Sequence, residues 1–273
     1  MDPNTKRFKL TPLEYLSKDQ MHSIHAAALD ILQDCGTMIH HQRSLGLLRG
    51  AGAHVKDDTH VFIPSGLVEA AIRSAPSRVT IYDRNGAVAM CLEERNVYYG
   101  TGSDCPYLLD SFSGERREFL SADVEDAVRL VDALPNIDFT MSNGLAPDFP
   151  AELQYQYKYA IMIRNSTKPQ VITAADKTCL NDIADIAAAA VGGREALSCK
   201  PIFVLYDEPT SPLVHINEVM EKLMFMAEHN LPTNYSPGIM AGGTSPVTMA
   251  GAIAQATAEI LTGLVIHQLT NPG

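Results

Sequence analysis

From Val97 onward the chain repeats one rhythm: a short apolar run, a polar or glycine-rich loop, a helix pattern, then the next apolar run. The runs fall at 97–100, 137–142, 170–174, 202–206 and 233–236. The helices predicted in the intervals occupy 122–133, 151–165, 180–190, 216–229 and 247–269. Two parallel strands cannot be joined by a tight turn, so strands alternating with helices predict a parallel sheet with right-handed crossovers. Lys168-Pro169 and Lys200-Pro201 mark where two of the strands begin, because proline is tolerated at the first position of a strand and rarely in its middle. A closed eight-stranded α/β barrel takes about 250 residues. Residues 97–273 hold five units, which complete an open doubly wound sheet but only part of a barrel. The rhythm alone leaves both architectures open.

Before Asn96 the pattern is different. Ser17-Lys18-Asp19-Gln20 is a capping box, followed by Met21, Ile24, Ala28, Ile31 and Leu32 at helical spacing, with Gly36 as the stop. A second helix is predicted over 42–49, a strand over 60–64, and a third helix over 65–74. Residues 79–82 and 88–92 flank Asp83-Arg84-Asn85-Gly86, a hairpin signal. The organisation read from the chain is a helical cap with a small antiparallel element, 1–96, followed by the α/β region, 97–273.

Apolar residues make up 46% of the 273 and charged residues 19%, a globular balance. The net charge of −11 argues against a nucleic-acid groove, which needs clustered Lys and Arg. Cys35, Cys91, Cys105, Cys179 and Cys199 contain no C-x-x-C pair, which points to free thiols in a reducing compartment. The stretch 1–10 lacks the apolar core of a signal peptide, so the expected location is the cytoplasm. The apolar helix near the end carries Gln255, Glu259, His267 and Gln268, which favours a core helix over a membrane span. No H-E-x-x-H or Cys/His spacing announces a metal site, and no G-x-S-x-G announces a nucleophile elbow.

In either parallel architecture, ligands bind where the strands end. Those ends carry Gly100-Thr101-Gly102-Ser103-Asp104, Asn143-Gly144, 173–176, Tyr206-Asp207-Glu208, and Tyr235 with the loop 240–244. They are polar, aromatic and small with few basic side chains, a composition suited to a neutral or cationic small molecule. Tyr206 and Tyr235 offer faces for a cation, Glu208 a countercharge, and Asp104 and Asn143 polar contacts. Gly242 and Gly243 let the backbone approach a ligand, and the helix expected to start at Pro246 or Val247 would turn free N–H groups toward it. Asp207-Glu208 reads equally well as a solvated strand end. Gly100-x-Gly102 lacks a third glycine or a phosphate-binding lysine, so it reads as a turn requiring positive φ. Tyr155, Tyr157 and Tyr159 fall within a helix pattern, with core packing the default.

The motifs are also familiar as a set. They include Ala51-Gly52-Ala53, Ile63-Pro64 with Ala75-Pro76, Tyr99-Gly100-Thr101-Gly102, Asn136-Ile137-Asp138 and Thr167-Lys168-Pro169. Lys200-Pro201-Ile202-Phe203, Pro209-Thr210-Ser211-Pro212-Leu213, Gly243-Thr244-Ser245-Pro246-Val247, Ala250-Gly251, Ala258-Glu259 and Gln268-Leu269 follow in order. From about His22 to Gly273 the chain resembles the trimethylamine methyltransferase family. The resemblance implies a (β/α)₈ TIM-type barrel, here truncated after about five strands. It implies transfer of a methyl group from trimethylamine, or from a quaternary amine such as glycine betaine, in methanogenesis-type metabolism. The acceptor would be the Co(I) corrinoid of a cognate corrinoid protein, so this chain would bind no cofactor tightly itself. The pyrrolysine position of one family branch would lie beyond Gly273, and the full-length protein would be a homo-oligomer. The stop at Asn271-Pro272-Gly273 is expected to fall between the fifth and sixth strands. The rival expectation is a non-catalytic barrel-type binding protein for methylated amines.

Overall fold

A computed structural model describes residues 14–273. The stretch 1–10, read above for a targeting signal, lies outside the described residues. In chain order the elements begin with α1 (Lys18–Asp30), β1 (Thr37–Ile39), α2 (Gln42–Gly50), β2 (His54–Lys56), β3 (His60–Phe62) and α3 (Ser65–Ser74). Two hairpins follow, β4 (Val79–Tyr82) with β5 (Val88–Leu92) and β6 (Tyr107–Leu109) with β7 (Arg116–Glu118). Then come α4 (Ser121–Ala133), α5 (Gln154–Asn165), β8 (Gln170–Ile172), α6 (Lys177–Val191), α7 (Arg194–Cys199) and β9 (Phe203–Asp207). The chain closes with β10 (Val214–His215), α8 (Asn217–Glu228), β11 (Thr233–Tyr235) and α9 (Met249–Thr270).

These elements form two compact units, and the division does not follow the boundary read near Asn96. One unit comprises Ser77–Tyr206 and Asn230–Pro232; the other comprises 14–76 of the described chain, Asp207–His229 and Thr233–Gly273. The first hairpin therefore belongs with the parallel segments, and α9 belongs with the amino-terminal helices. The reason is packing: α9 lies against α1, α2, α3 and α8.

In the unit containing α9, the expected capping box is present. Ser17 Oγ accepts from the Gln20 N–H at 3.2 Å, and Gln20 Oε1 accepts from the Ser17 N–H at 2.8 Å. After α1 a π turn, Ile31–Cys35, ends at Gly36, whose φ of 74° is the left-handed conformation that glycine adopts freely. A Cβ there would also sit 2.6 Å from the Val61 carbonyl oxygen. The small sheet runs β10-β1-β3-β2, with β1 parallel to β10 and antiparallel to β3. Its core packs Leu32, Ile39, Leu45, Val61 and Ile63 against Met220, Leu223, Val265 and Ile266. By length and composition α9 could cross a membrane, but just over half of its most apolar window is buried inside the protein. Its polar residues are satisfied there. Glu259, fully buried, accepts from Ser211 Oγ at 2.6 Å, the Leu213 N–H at 2.9 Å and Gln255 Nε2 at 2.9 Å.

In the other unit the β4/β5 hairpin occupies the residues read from sequence, with Val79 opposite Leu92. The β6/β7 hairpin was not expected. Its turn is tied by Asp110, which accepts from the Phe112 and Ser113 N–H groups at 2.9 Å each and pairs with Arg117. Parallel pairing then links Gly100 to Phe139, Cys105 to Gly144, Thr140 to Gln170, and β8 to β9 along Gln170–Ile172. Successive α/β segments are thus parallel neighbours in sequence order. The runs expected at 97–100 and 137–142 meet only through single bridges, with Val97 and Tyr99 exposed. No barrel is closed among the described residues.

Candidate functional site

Where these parallel segments end, Ser103, Ser142 and Thr173 meet the inner face of α5 around a pocket with about 250 Å³ of empty space, part of it open to solvent. The helix supplies Tyr155, Lys158, Tyr159 and Met162. Spacings of three, four and seven residues place these four on one face, since an α-helix turns once every 3.6 residues. Tyr157, out of phase, is exposed and stacks on Phe149 with ring centroids 4.7 Å apart.

Lys158 is 2% exposed, an unusual state for an ammonium group. Its Nζ lies 2.9 Å from Asp104 Oδ1 and 4.6 Å from the centroid of the Tyr155 ring. A carboxylate and an aromatic face together offset the cost of desolvating the cation. Burial, with the Asp104 charge second, pushes the Tyr155 phenol up. Tyr159, buried, is pushed up by desolvation and therefore stays a neutral O–H donor at physiological pH. Its ring meets Phe203 edge-on, but its hydroxyl has no hydrogen-bond partner. Ser103 and Ser142 bring their hydroxyls within 3.4 Å of each other. Lys158 is the single charged residue among those lining the pocket.

The residues singled out in the sequence divide between the two units. Asp104 and Asn143 belong to the unit with the pocket. Asn143, at φ 61°, organises the loop: its N–H donates to the Gly102 carbonyl at 3.0 Å and its own carbonyl accepts from the Cys105 N–H at 2.9 Å. Tyr206, partly buried, is the last residue of that unit's main segment. Glu208, exposed, lies in the other unit with Tyr235, Gly242 and Gly243. Tyr235 is buried there, its hydroxyl 2.6 Å from His215 Nδ1 and its ring stacked on the imidazole at 6.0 Å. Asp207 turns inward instead of standing as a solvated strand end. Burial pushes its carboxyl up to about 6 while the Lys222 ammonium, 2.9 Å away, pulls the other way. His215, fully buried, is driven down to about 3 by desolvation, so it is a neutral imidazole.

Two local expectations need correction. Within the loop after β11 the N–H groups bond back to the loop itself: Gly242 donates to the Ser245 carbonyl, and Gly243, Thr244 and Ser245 all donate to the Met240 carbonyl. The helix that follows, α9, begins at Met249, not at Pro246 or Val247, because Thr248 caps it by accepting from the Gly251 N–H. Gly100 is glycine for close approach, not for positive φ: a Cβ would run into the Phe139 ring, whereas one on Gly102 would meet nothing.

Lys158 and Lys222 were missed in the sequence. The available signal was a lysine in the inward stripe of an otherwise apolar helix face, where only a buried counterion makes it tolerable.

Comparison with known proteins bears on the same chain. The profile of the trimethylamine methyltransferase (MTTB) family matches residues 3–273. Trimethylamine methyltransferase MttB of Desulfitobacterium hafniense (strain DSM 10664 / DCB-2) is 29% identical over 258 residues, covering 94% of this chain and 52% of that protein. Glycine betaine methyltransferase of Desulfitobacterium hafniense (strain Y51) is 27% identical over 259 residues, covering 94% and 54%. MttB of Methanosarcina barkeri (strain Fusaro / DSM 804) is 29% identical over 269 residues, covering 96% and 54%. The chain spans about half the length of these curated relatives. A single family profile running through both compact units, and so through every side chain placed above, assigns the chain to the trimethylamine methyltransferase (MTTB) family.

Proposed function

We propose that this chain holds a small methylated amine for transfer of one methyl group to the Co(I) corrinoid of a cognate partner protein. The observation that carries the reading is the family match through nearly the whole chain. The sequential parallel neighbours support assigning 97–273 to the first part of a (β/α)₈ barrel, with the pocket at its carboxyl-terminal mouth.

The α5 pocket is too small for a corrin macrocycle. The corrinoid would arrive on its own protein and supply the nucleophile that accepts the methyl group. The residues of this chain would do the rest: hold the amine, aim one methyl outward and keep water from the reacting carbon. A quaternary ammonium is suited to that step because it departs as a neutral amine. Asp104, still partly open to solvent, places negative charge beside the pocket while Lys158 fixes its position.

A second reading is a binding protein for methylated amines without transferase activity, since a site that holds such an amine does not by itself transfer a methyl group. Incubation with ¹³C-methyl-labelled trimethylamine or glycine betaine, cob(I)alamin and the partner corrinoid protein separates the two. Formation of the demethylated amine with loss of the Co(I) absorbance is the expected result. Binding of the labelled amine with no demethylated product would replace the first reading by the second.

A further inference from the structure

A hairpin interrupts the chain where its first parallel segment ends. Gly100 bridges Phe139 and Cys105 bridges Gly144, both in parallel, and β6 begins just beyond Cys105 at Tyr107. The β6/β7 hairpin therefore stands at the carboxyl ends of the parallel segments, next in sequence to Asp104 and Cys105. One of its faces is fixed to the unit. Leu108 packs against the cluster of Phe119, Val124, Val128 and Met162. Arg117, opposite Leu108, pairs with Asp110 at the turn and with Asp123 at the start of α4, at 2.9 and 2.6 Å.

Alternation along a strand turns Tyr107 and Leu109 to the other face. Arg116 stands opposite Leu109, and its guanidinium lies 3.7 Å from the centroid of the Tyr107 ring. Leu109 is 71% exposed, and Phe112, in the turn, is 99% exposed. Asp110 ties that turn through the Phe112 and Ser113 N–H groups, so these apolar side chains sit on an ordered platform. Aromatic and aliphatic side chains held in the open beside an arginine have the make-up of a protein-binding surface.

We propose that the outward face and turn of the β6/β7 hairpin dock the partner protein that carries the corrinoid. The proposal rests on the function proposed above. For a methyl group to pass from the amine to cobalt, the partner has to cover the ends of the parallel segments. The hairpin rises from the loop that joins the first of those segments to α4, so it borders whatever covers them. A lipid surface is the poorer occupant, because anionic headgroups repel a chain of net charge −11. Leu109 and Phe112 would be the apolar anchors, and Arg116, laid on Tyr107, would meet polar groups at the rim. These side chains hold the partner and take no part in holding the amine.

The double variant Leu109→Ser with Phe112→Ser tests the surface. Both side chains are exposed, so its Tm should match that of the wild type. Calorimetric titration with the cognate corrinoid protein should give a Kd raised at least about tenfold, as expected for the loss of two apolar anchors. In the labelled-amine assay the KM for the corrinoid protein should rise by a similar factor with kcat unchanged. The rate with free cob(I)alamin, which needs no docking, should be unchanged.

An unchanged Kd for the corrinoid protein would overturn the docking surface. An equal loss of rate with free cob(I)alamin would do the same, by placing the damage in the amine site. So would a smaller assembly for the variant than for the wild type by light scattering, which would make the face a contact between copies of this chain. In all three cases the wild type still transfers methyl groups, and the proposed function stands. A wild type that demethylates the amine with neither acceptor would overturn both.

Discussion

Lys158 and Asp104 meet as a buried cation and a half-open anion: Nζ lies 2.9 Å from Oδ1, with side-chain exposures of 3% and 31%. The ammonium depends on the carboxylate far more than the carboxylate depends on it. Asp104→Asn should therefore destabilise the protein by about 2–4 kcal/mol, below the full cost of breaking a wholly buried pair because Asp104 keeps contact with water. Adding Lys158→Met should recover most of that loss. Urea denaturation of the two single variants and the double variant gives the coupling directly, and additive effects would mean that the pair does not act as one.

The two glycines of Gly100-x-Gly102 make opposite demands. A methyl group at Gly100 would run into the Phe139 ring, but one at Gly102 has open space. Gly100→Ala should cost about 1–3 kcal/mol by overpacking. Gly102→Ala should stay within about 0.5 kcal/mol of the wild type. Guanidinium midpoints at unchanged m-value would report both.

Lys168 closes the end of α4. Its Nζ donates to the carbonyls of Val131, Leu134 and Ile137 at 2.6, 2.6 and 2.7 Å. A lysine at a helix carboxyl end satisfies acceptors that the helix cannot, and opposes the negative end of its dipole. Lys168→Met should cost about 1.5–3 kcal/mol. Faster amide exchange at 131–137 than in the rest of the unit would locate the loss there.

His215 gives the fold an acid-sensitive component. Burial lowers its pKa from 6.5 to about 3. Between those values the unfolded chain binds more protons than the native state, so this contribution is complete above pH 6.5 and is lost as pH falls toward 3. Asp207 works in the opposite direction: its carboxyl, pushed up to about 6, makes the native state the better proton binder between about 4 and 6. His215→Asn removes only the first effect. From pH 6.5 to pH 4 the wild type should lose about 3 kcal/mol relative to this variant. Parallel stability profiles for the two proteins would mean that His215 is not held neutral.

Much of the local structure was legible because its causes are local. The Ser17–Gln20 capping box, the α3 bounds at Ser65–Ser74 and the β4/β5 hairpin all rest on residues within a few positions of one another. β1 and β10 were not legible: Met38 finds its partner at Val214, and neither short segment carries a period of its own. The β6/β7 turn hides its signal in side-chain bonds from Asp110 instead of an Asn-Gly pair. At the site, strand-end logic reached Asp104, yet Lys158, 54 residues further on, is tied to it only by the fold. Tyr235 was read as an open aromatic face. The structure instead places its ring against Gly263 and its hydroxyl on His215, a relationship between distant residues that composition does not reveal.

The central claim is that the strand-end mouth beside Asp104 and α5 holds the methylated amine, and a co-crystal structure with glycine betaine tests it most directly. The account predicts the ligand at that mouth, with its trimethylammonium group on the side of Asp104. Betaine bound elsewhere, or bound there with its trimethylammonium group turned away from Asp104, would contradict it.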